Sequence, residues 1–197
     1  INFYEQVMEA TGRVANLNKL KINNTDVKLN KNNSIIVNNI FQTSVKNIYA
    51  IGDVIDRVQL TPVAISEAMI FVKNLKSKNK IECDYKNIPT AVFANPNYAC
   101  VGYSEIEAKK KFGKISVFKS NFRSLKYSMS KIEEKVFIKL IVNKSNDRVI
   151  GLHYVGENAA EIIQGFAVAI VNGLTKKQFD KTIGIHPTCA EEIVTLK

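Results

Sequence analysis

Residues 135–156 read KVFIKLIVNKSNDRVIGLHYVG. Two runs rich in β-branched and other apolar residues, KVFIKLIVN and RVIGLHYVG, flank a short polar break, KSND. Successive side chains of a strand point to opposite faces, so apolar residues at alternate positions predict an antiparallel hairpin with one apolar face. Outward from it, IPTAVF (88–93) and KISVFKSNF (114–122) read as further strands. Between them, Ser104-Glu105-Ile106-Glu107 reads as a capping box opening the helix SEIEAKKKFG, with Gly113 as its stop. Beyond the hairpin, Asn158 and Glu161 supply a cap and its N3 partner for ENAAEIIQGFAVAIVNG, closed by Asn172-Gly173. That helix is apolar almost all round and calls for burial, which another subunit can supply. TKKQFDKT reads as a short surface helix, and HPTCAEEIVTLK finishes the chain. A sheet with segregated helices predicts an α+β domain over residues 88–197.

The part before it differs. Residues 1–13 are a short apolar stretch ending in ATGR, and 14–46 are polar, Asn-rich and loop-like, with little core and one brief strand candidate at Ser34–Val37. Asn47–Ile51, NIYAI, reads as a buried strand stopped by Gly52-Asp53. A helix follows from Thr61, with Pro62 in its first turn, where a missing N–H costs nothing. It runs through VAISEAMIFVKNL into KSKNKIECDYKN, a polar stretch that marks a domain boundary.

The bulk numbers exclude several classes. With 197 residues, 46% hydrophobic and 23% charged, the chain has the composition of a globular protein. No apolar run approaches the roughly 20 residues of a membrane span, and no basic-then-apolar leader opens it, so it reads as soluble, unexported and cytoplasmic. Because it begins at Ile1 and not at Met, we read it as a fragment. Cys83, Cys100 and Cys189 form neither a CxxC pair nor an even disulfide framework, which favours a reducing compartment. No metal-ligand cluster is expected. The net charge of +10 invites a nucleic-acid reading, but the lysines of NKLKINN, KNLKSKNK and KKKFGK are scattered without Arg-aromatic interleaving. Solvated surface accounts better for them.

Three places carry chemistry. A strand ending in Gly52-Asp53 sets a carboxylate where open α/β sheets bind ligands and where sugar hydroxyls can donate to it, although Gly-Asp alone is an ordinary turn. The Thr61-Pro62 helix start offers free N–H groups and a positive dipole end to negative charge. One strand and one turn apart, the two together favour a ligand. The third place is IGIHPTCAEEIVT, residues 183–195. Thr188-Cys189-Ala190-Glu191 fits a capping box, and nothing in that reading requires His186. The residues alone leave open whether Glu191 serves the cap or the histidine. Cys189 beside His186 suggests a nucleophile pair but lacks an orienting third group, so an inert small residue is the better reading. His153, between Leu152 and Tyr154, reads as a core or sheet-surface histidine.

ATGR (10–13), TSVKNIYAIGDVIDRVQLTPVAI (43–65), IPTAVFANPNYACVGYSEIEA (88–108), EIIQGFAVAI (161–170) and TIGIHPTCAEEIVTL (182–196) together resemble, in order and spacing, the flavoprotein disulfide reductases and, within them, the glutathione reductases. The resemblance covers essentially the whole chain. It implies that residues 1–13 end an NADPH domain, 14–84 close an FAD-binding α/β domain, and 85–197 form a C-terminal dimerisation domain of antiparallel sheet and helices. It also implies FAD and NADPH as cofactors, a homodimer, and glutathione disulfide as substrate. Asp53 would hydrogen-bond the ribityl chain of FAD, and the Thr61 backbone would face the flavin O2 edge. His186, oriented by Glu191, would reach into the partner's active site, with Glu192 and Thr195 near bound glutathione and the His186-Pro187 bond cis.

In such a reaction, electrons pass from NADPH through FAD to a cysteine pair, whose thiolate attacks glutathione disulfide. An imidazolium paired with a carboxylate suits the protonation of the departing thiolate. Dihydrolipoamide dehydrogenases resemble HxHPT where this chain has Gly184; trypanothione reductases are harder to tell apart, and a dimerisation module without chemistry is a further alternative. Neither a GxGxxG fingerprint nor a CxxxxC disulfide occurs. The isolated chain is therefore expected to be inactive and to bind FAD weakly at best.

Overall fold

The computed structural model describes residues 5–197, and the chain divides into two compact units, one ending at Tyr85 and the other spanning Lys86–Lys197.

In the first unit, residues 5–13 carry neither helix nor strand, and the start of the expected NADPH-domain segment, residues 1–4, lies outside the described residues. The Asn-rich stretch holds more core than its composition suggests: Val27, Ile35 and Phe41 are buried together with Ala50 and Ile55. These are single apolar residues spaced among turns, so no periodicity advertises them. Neither expected strand forms as a ladder. Ile35 bridges only Leu29, and Tyr49 bridges only Gln42, because no longer run of backbone faces either segment among the described residues. Gly52–Ile55 is a 3-10 turn, so Asp53 stands in the first turn of a short helix and not at the end of a strand. Helix α1 (Thr61–Lys76) starts with Leu60 at its N-cap and Pro62 in the first turn, as expected. Its Ile70 and Phe71 close over the small core.

The second unit is built on five antiparallel strands: β1 (Thr90–Val92), β2 (Tyr98–Gly102), β3 (Ile115–Arg123), β4 (Lys135–Asn143) and β5 (Val149–Val155). Their order is β1-β2-β5-β4-β3, so β1 and β3 are the edges. The hairpin β4–β5 pairs Leu140 with Leu152 and Ile138 with Tyr154, with an irregularity between Ile141 and Val142. Ile141, on the face away from Leu140, is buried too, so the hairpin is covered on more than the one face its alternation suggests. Strand β2 is a finding beyond the sequence reading. Its Ala99 and Val101 align with Tyr154 and Leu152, which makes the face carrying Ala99, Leu152, Leu140 and Ile138 one apolar surface.

Helix α2 (Glu105–Phe112) starts with the expected box: the Glu107 N–H donates to Ser104 Oγ, and the Ser104 N–H to Glu107 Oε2 at 2.9 Å. Gly113 ends it with φ +70°, a conformation that costs glycine little. Helix α3 (Ala159–Val171) lays Ala159, Ile163, Ala167 and Ile170 on the apolar sheet face. Asn158 does not cap it with its side chain, because at φ +58° Asn158 serves as the turn out of β5. Helix α4 (Lys176–Lys181) is less superficial than expected. A Thr175–Gln178 box opens it, Phe179 enters the core, and the buried Lys176 ammonium donates to Leu196 O at 2.6 Å and to Asp180. The last helix, α5 (Glu192–Thr195), is a single turn that buries Ile193 and Val194. Among the described residues no helix is long and apolar enough to cross a membrane, and no cluster of His, Cys, Asp and Glu could hold a metal.

Candidate active site

The segment after α4 folds around Thr188. Its hydroxyl donates to Ile185 O at 2.7 Å and accepts the Glu191 N–H at 3.2 Å, while its own N–H donates to Glu191 Oε1 at 3.1 Å. The two reciprocal bonds of a capping box are therefore made, but they close the turn before α5, whose own N-cap is Glu191 without a side-chain bond. The same oxygen, Glu191 Oε1, accepts from His186 Nδ1 at 3.0 Å. Cap and histidine share one carboxylate, which answers the question the residues left open. The His186-Pro187 bond is cis. Because Oε1 also takes the Thr188 N–H, Nδ1 carries the proton in this contact and Nε2 is the edge left for another molecule. The His186 side chain is 75% exposed and that of Glu191 only 18%. The pair is thus an exposed imidazole on a largely buried carboxylate support.

Gly184 makes the support possible. A Cβ there would lie 2.6 Å from Glu191 Cβ, well inside van der Waals contact. Gly184→Ala should displace Glu191, loosen both of its contacts and cost about 1–3 kcal/mol, as overpacked sites do. Urea denaturation should show the loss, and the 15N-detected spectrum of His186 should move with it.

Glu192 and His186 line one cavity of about 710 Å³, whose wall also carries Arg123 and Lys126. Those two cations lie far from the motif in sequence and were not anticipated. Lys126 pairs with Glu157, which raises its pKa, and Arg123 donates to Ser130 O at 2.7 Å. Thr195 does not line this cavity; its hydroxyl donates to Glu191 O at 3.2 Å. Cys189 lies half-buried against the core. An apolar groove of about 460 Å³ runs beside the motif, lined by Phe166 and Ala169 of α3 and by Ile183 and Ile185, which are 94% and 77% exposed.

In the first unit, Asp53 is exposed and lines a recess with Arg13, Asn16 and Gln59, while Thr61 lies outside it. The turn that presents Asp53 hangs on Glu67, which is 1% exposed. Glu67 Oε2 accepts the Gly52 N–H at 2.6 Å, and Oε1 accepts the Tyr85 hydroxyl at 2.7 Å. Burial first, and then the bond to Glu67, push the Tyr85 pKa up. Arg57 donates to Tyr85 Oη at 3.2 Å and to Asn38 O at 2.9 Å. Leu60 has no side chain able to cap α1; Pro62 carries no N–H and the Val63 N–H donates to Leu60 O at 3.0 Å, so it is the Thr61 N–H that is left for a ligand.

Against known proteins, residues 88–197 match the family model described as the pyridine nucleotide-disulphide oxidoreductase dimerisation domain, and residues 3–68 match that of the pyridine nucleotide-disulphide oxidoreductases. Over 194 residues the chain is 47% identical to the chloroplastic/mitochondrial glutathione reductase of Pisum sativum, covering 98% of this chain and 35% of that one. A glutathione reductase of Burkholderia cepacia is 46% identical over 193 residues, covering 98% and 43%. That of Nostoc sp. is 44% identical over 200 residues, covering 95% and 44%. The chain thus spans between about a third and just under half of the length of these relatives. It shares its fold with the HOCl-induced flavoprotein disulfide reductase RclA from Escherichia coli, with a TM-score of 0.84 at 24% identity over 95% of this chain and 43% of that one.

Proposed function

Since the chain belongs to the pyridine nucleotide-disulphide oxidoreductase family, we propose that it is the carboxyl-terminal part of a cytoplasmic, homodimeric glutathione reductase that uses NADPH and FAD. The observation that carries this reading is the exposed His186 imidazole, held at 3.0 Å by a carboxylate that the fold itself immobilises. Nothing in its own unit needs the proton at Nε2, so the pair is built to serve a substrate brought to it. A dimerisation module without chemistry would leave this pair without a task.

In the proposed reaction, His186 Nε2 gives a proton to the glutathione thiolate that leaves when the disulfide is opened. Glu191 keeps the ring turned and balances the charge of the imidazolium. Arg123 offers the cavity a cation suited to a carboxylate of glutathione, Lys126 being paired with Glu157 in the same wall, and Glu192 offers an acceptor for its amino group. Thr195 is placed in the same subsite by resemblance alone. The apolar groove with Ile183 and Ile185 is the face proposed for the second subunit, across which His186 would act.

The exposed Asp53 carboxylate and the uncapped start of α1 fit a polyol and an anionic edge, as FAD has them. When bound, FAD would supply electron transfer between NADPH and the reacting thiols. Residues 1–13, 14–84 and 85–197 are assigned in this reading to the NADPH, FAD and dimerisation domains. The test is the coding sequence upstream of Ile1 and the protein it encodes. We expect a CxxxxC pair, a GxGxxG motif and oxidation of NADPH dependent on glutathione disulfide, with no turnover by the 197-residue chain alone. An upstream sequence without both motifs would sink the proposal.

A further inference from the structure

His186, Glu191, Glu192 and Thr195 all lie on one stretch of chain that leaves α4 after Lys181 and ends in α5. Helix α5 is a single turn, and its N-cap, Glu191, makes no side-chain capping bond. Burial of Ile193, Val194 and Leu196 sets which side of that turn faces the core. Apolar burial is non-directional, so by itself it fixes the depth of the turn better than its angle. A directional bond holds the far end: the Lys176 ammonium donates to Leu196 O at 2.6 Å. The Leu196 N–H in turn donates to Glu192 O at 3.2 Å, and Glu191 O accepts from the Val194 and Thr195 N–H groups at 3.0 and 3.1 Å.

Lys176 is itself fixed. Its N–H donates to Asp147 O at 2.7 Å and the Lys177 N–H to Asp147 Oδ2 at 3.0 Å, in the turn between β4 and β5. The Lys176 side chain is 7% exposed and pairs with Asp180 one turn on, and its Nζ lies 4.7 Å from the centre of the Phe118 ring of β3. A buried ion pair adds little net stability over apolar residues of similar volume. A lysine at this place is therefore better explained by where it points than by what it contributes to folding.

We propose that Lys176 is a positioning residue for the His186–Glu191 pair, acting through Leu196 O and α5; this rests on the reading of that pair as the proton donor to glutathione. The bond closes a ring of chain, from Lys176 through α4, the His186 segment and α5 back to Leu196. A closed ring has fewer conformations than an open one. Its fixed point is the hairpin turn at Asp147, and from there the contacts run in order through Lys176, Leu196, α5, Glu191 and His186. A misplacement of about 1 Å in a group that orients reacting atoms can cost about 10²-fold in rate. The last link therefore needs to slip little for the imidazole to lose its aim.

In the full-length protein, hydrogen exchange followed by mass spectrometry should show the amides of residues 192–197 exchanging about tenfold faster in Lys176→Met, as loss of one bond from a charged donor allows, with those of β5 unchanged. The same variant should lower kcat/KM for glutathione disulfide about ten- to a hundredfold. Reduction of FAD by NADPH, followed by flavin absorbance, should keep its rate, because that half of the reaction does not use His186. Asp180→Asn leaves Lys176 an oxygen to pair with and keeps the bond to Leu196, so it should show less than about a third of either change. Should Lys176→Met fail to fold, Lys176→Gln, which keeps a donor but falls one bond short of Leu196 O, must show the same pattern. Unchanged exchange at 192–197, faster exchange with an unchanged kcat/KM, or an equal fall in both halves of the reaction would overturn the positioning role. A wild-type protein without turnover of glutathione disulfide sinks the reading beneath it, while the exchange rates still decide whether Lys176 clamps α5.

Discussion

In the glutathione reductase proposed above, replacing His186 by Gln should lower kcat for glutathione disulfide by about 10²- to 10⁴-fold, the range a positioned proton donor contributes. That is roughly 3–5 kcal/mol of transition-state stabilisation. Folding should be untouched, because the imidazole is three-quarters exposed and the Thr188–Glu191 box does not depend on it. The two readouts separate chemistry from structure: activity collapses while the unfolding midpoint stays. Glu191→Gln should behave differently. An amide can still accept from the Thr188 N–H and keep the turn before α5, but it has no charge to balance an imidazolium, so the rate falls while the turn survives. A His186 variant with full activity would mean that another donor protonates the leaving thiolate.

The largest expected effect on stability is at Glu67. Its buried carboxyl accepts from Gly52 at 2.6 Å and from Tyr85 at 2.7 Å. Glu67→Ala takes the acceptor from two part-buried donors, at up to about 1–3 kcal/mol each, and opens a void between α1 and the Gly52 turn. We expect a loss of about 3–5 kcal/mol in the first unit, seen as an early transition in chemical denaturation followed by circular dichroism. Glu67→Gln keeps one acceptor and should lose less than half as much. If both variants unfold with the wild type, the first unit draws its stability from elsewhere.

What was legible in the sequence is what is local. The hairpin, the box at Ser104 and the long apolar helix each declare themselves within a single period or a single turn. Strand β2 did not, because its Ala, Cys and Gly lack the bulk that marks a strand, and only pairing with β5 buries them. NIYAI has that bulk yet meets only one residue across from it, and a strand without a partner has no ladder. Glu67 was invisible for a different reason: an acid inside an amphipathic helix reads as solvated surface until a glycine N–H and a tyrosine are seen to converge on it. Lys176 and Leu196 stand 20 positions apart and become neighbours only once α4 and α5 are packed. At the C-terminal motif, both readings of Glu191 could be written down in advance. That one oxygen satisfies both required the position of Thr188.

Strand β3 is nine residues long and lies at an open edge of the sheet, a template on which another chain could add. Its outward positions are Lys119, Asn121 and Arg123. A second copy laid antiparallel along that edge would bring cations into the company of cations. Uncontrolled growth by sheet extension is therefore discouraged along the strand most able to support it, and the opposite edge, β1, has only three residues to offer. The pairing proposed above, through the apolar groove on the helical side, would leave this edge untouched and would close on itself as a pair.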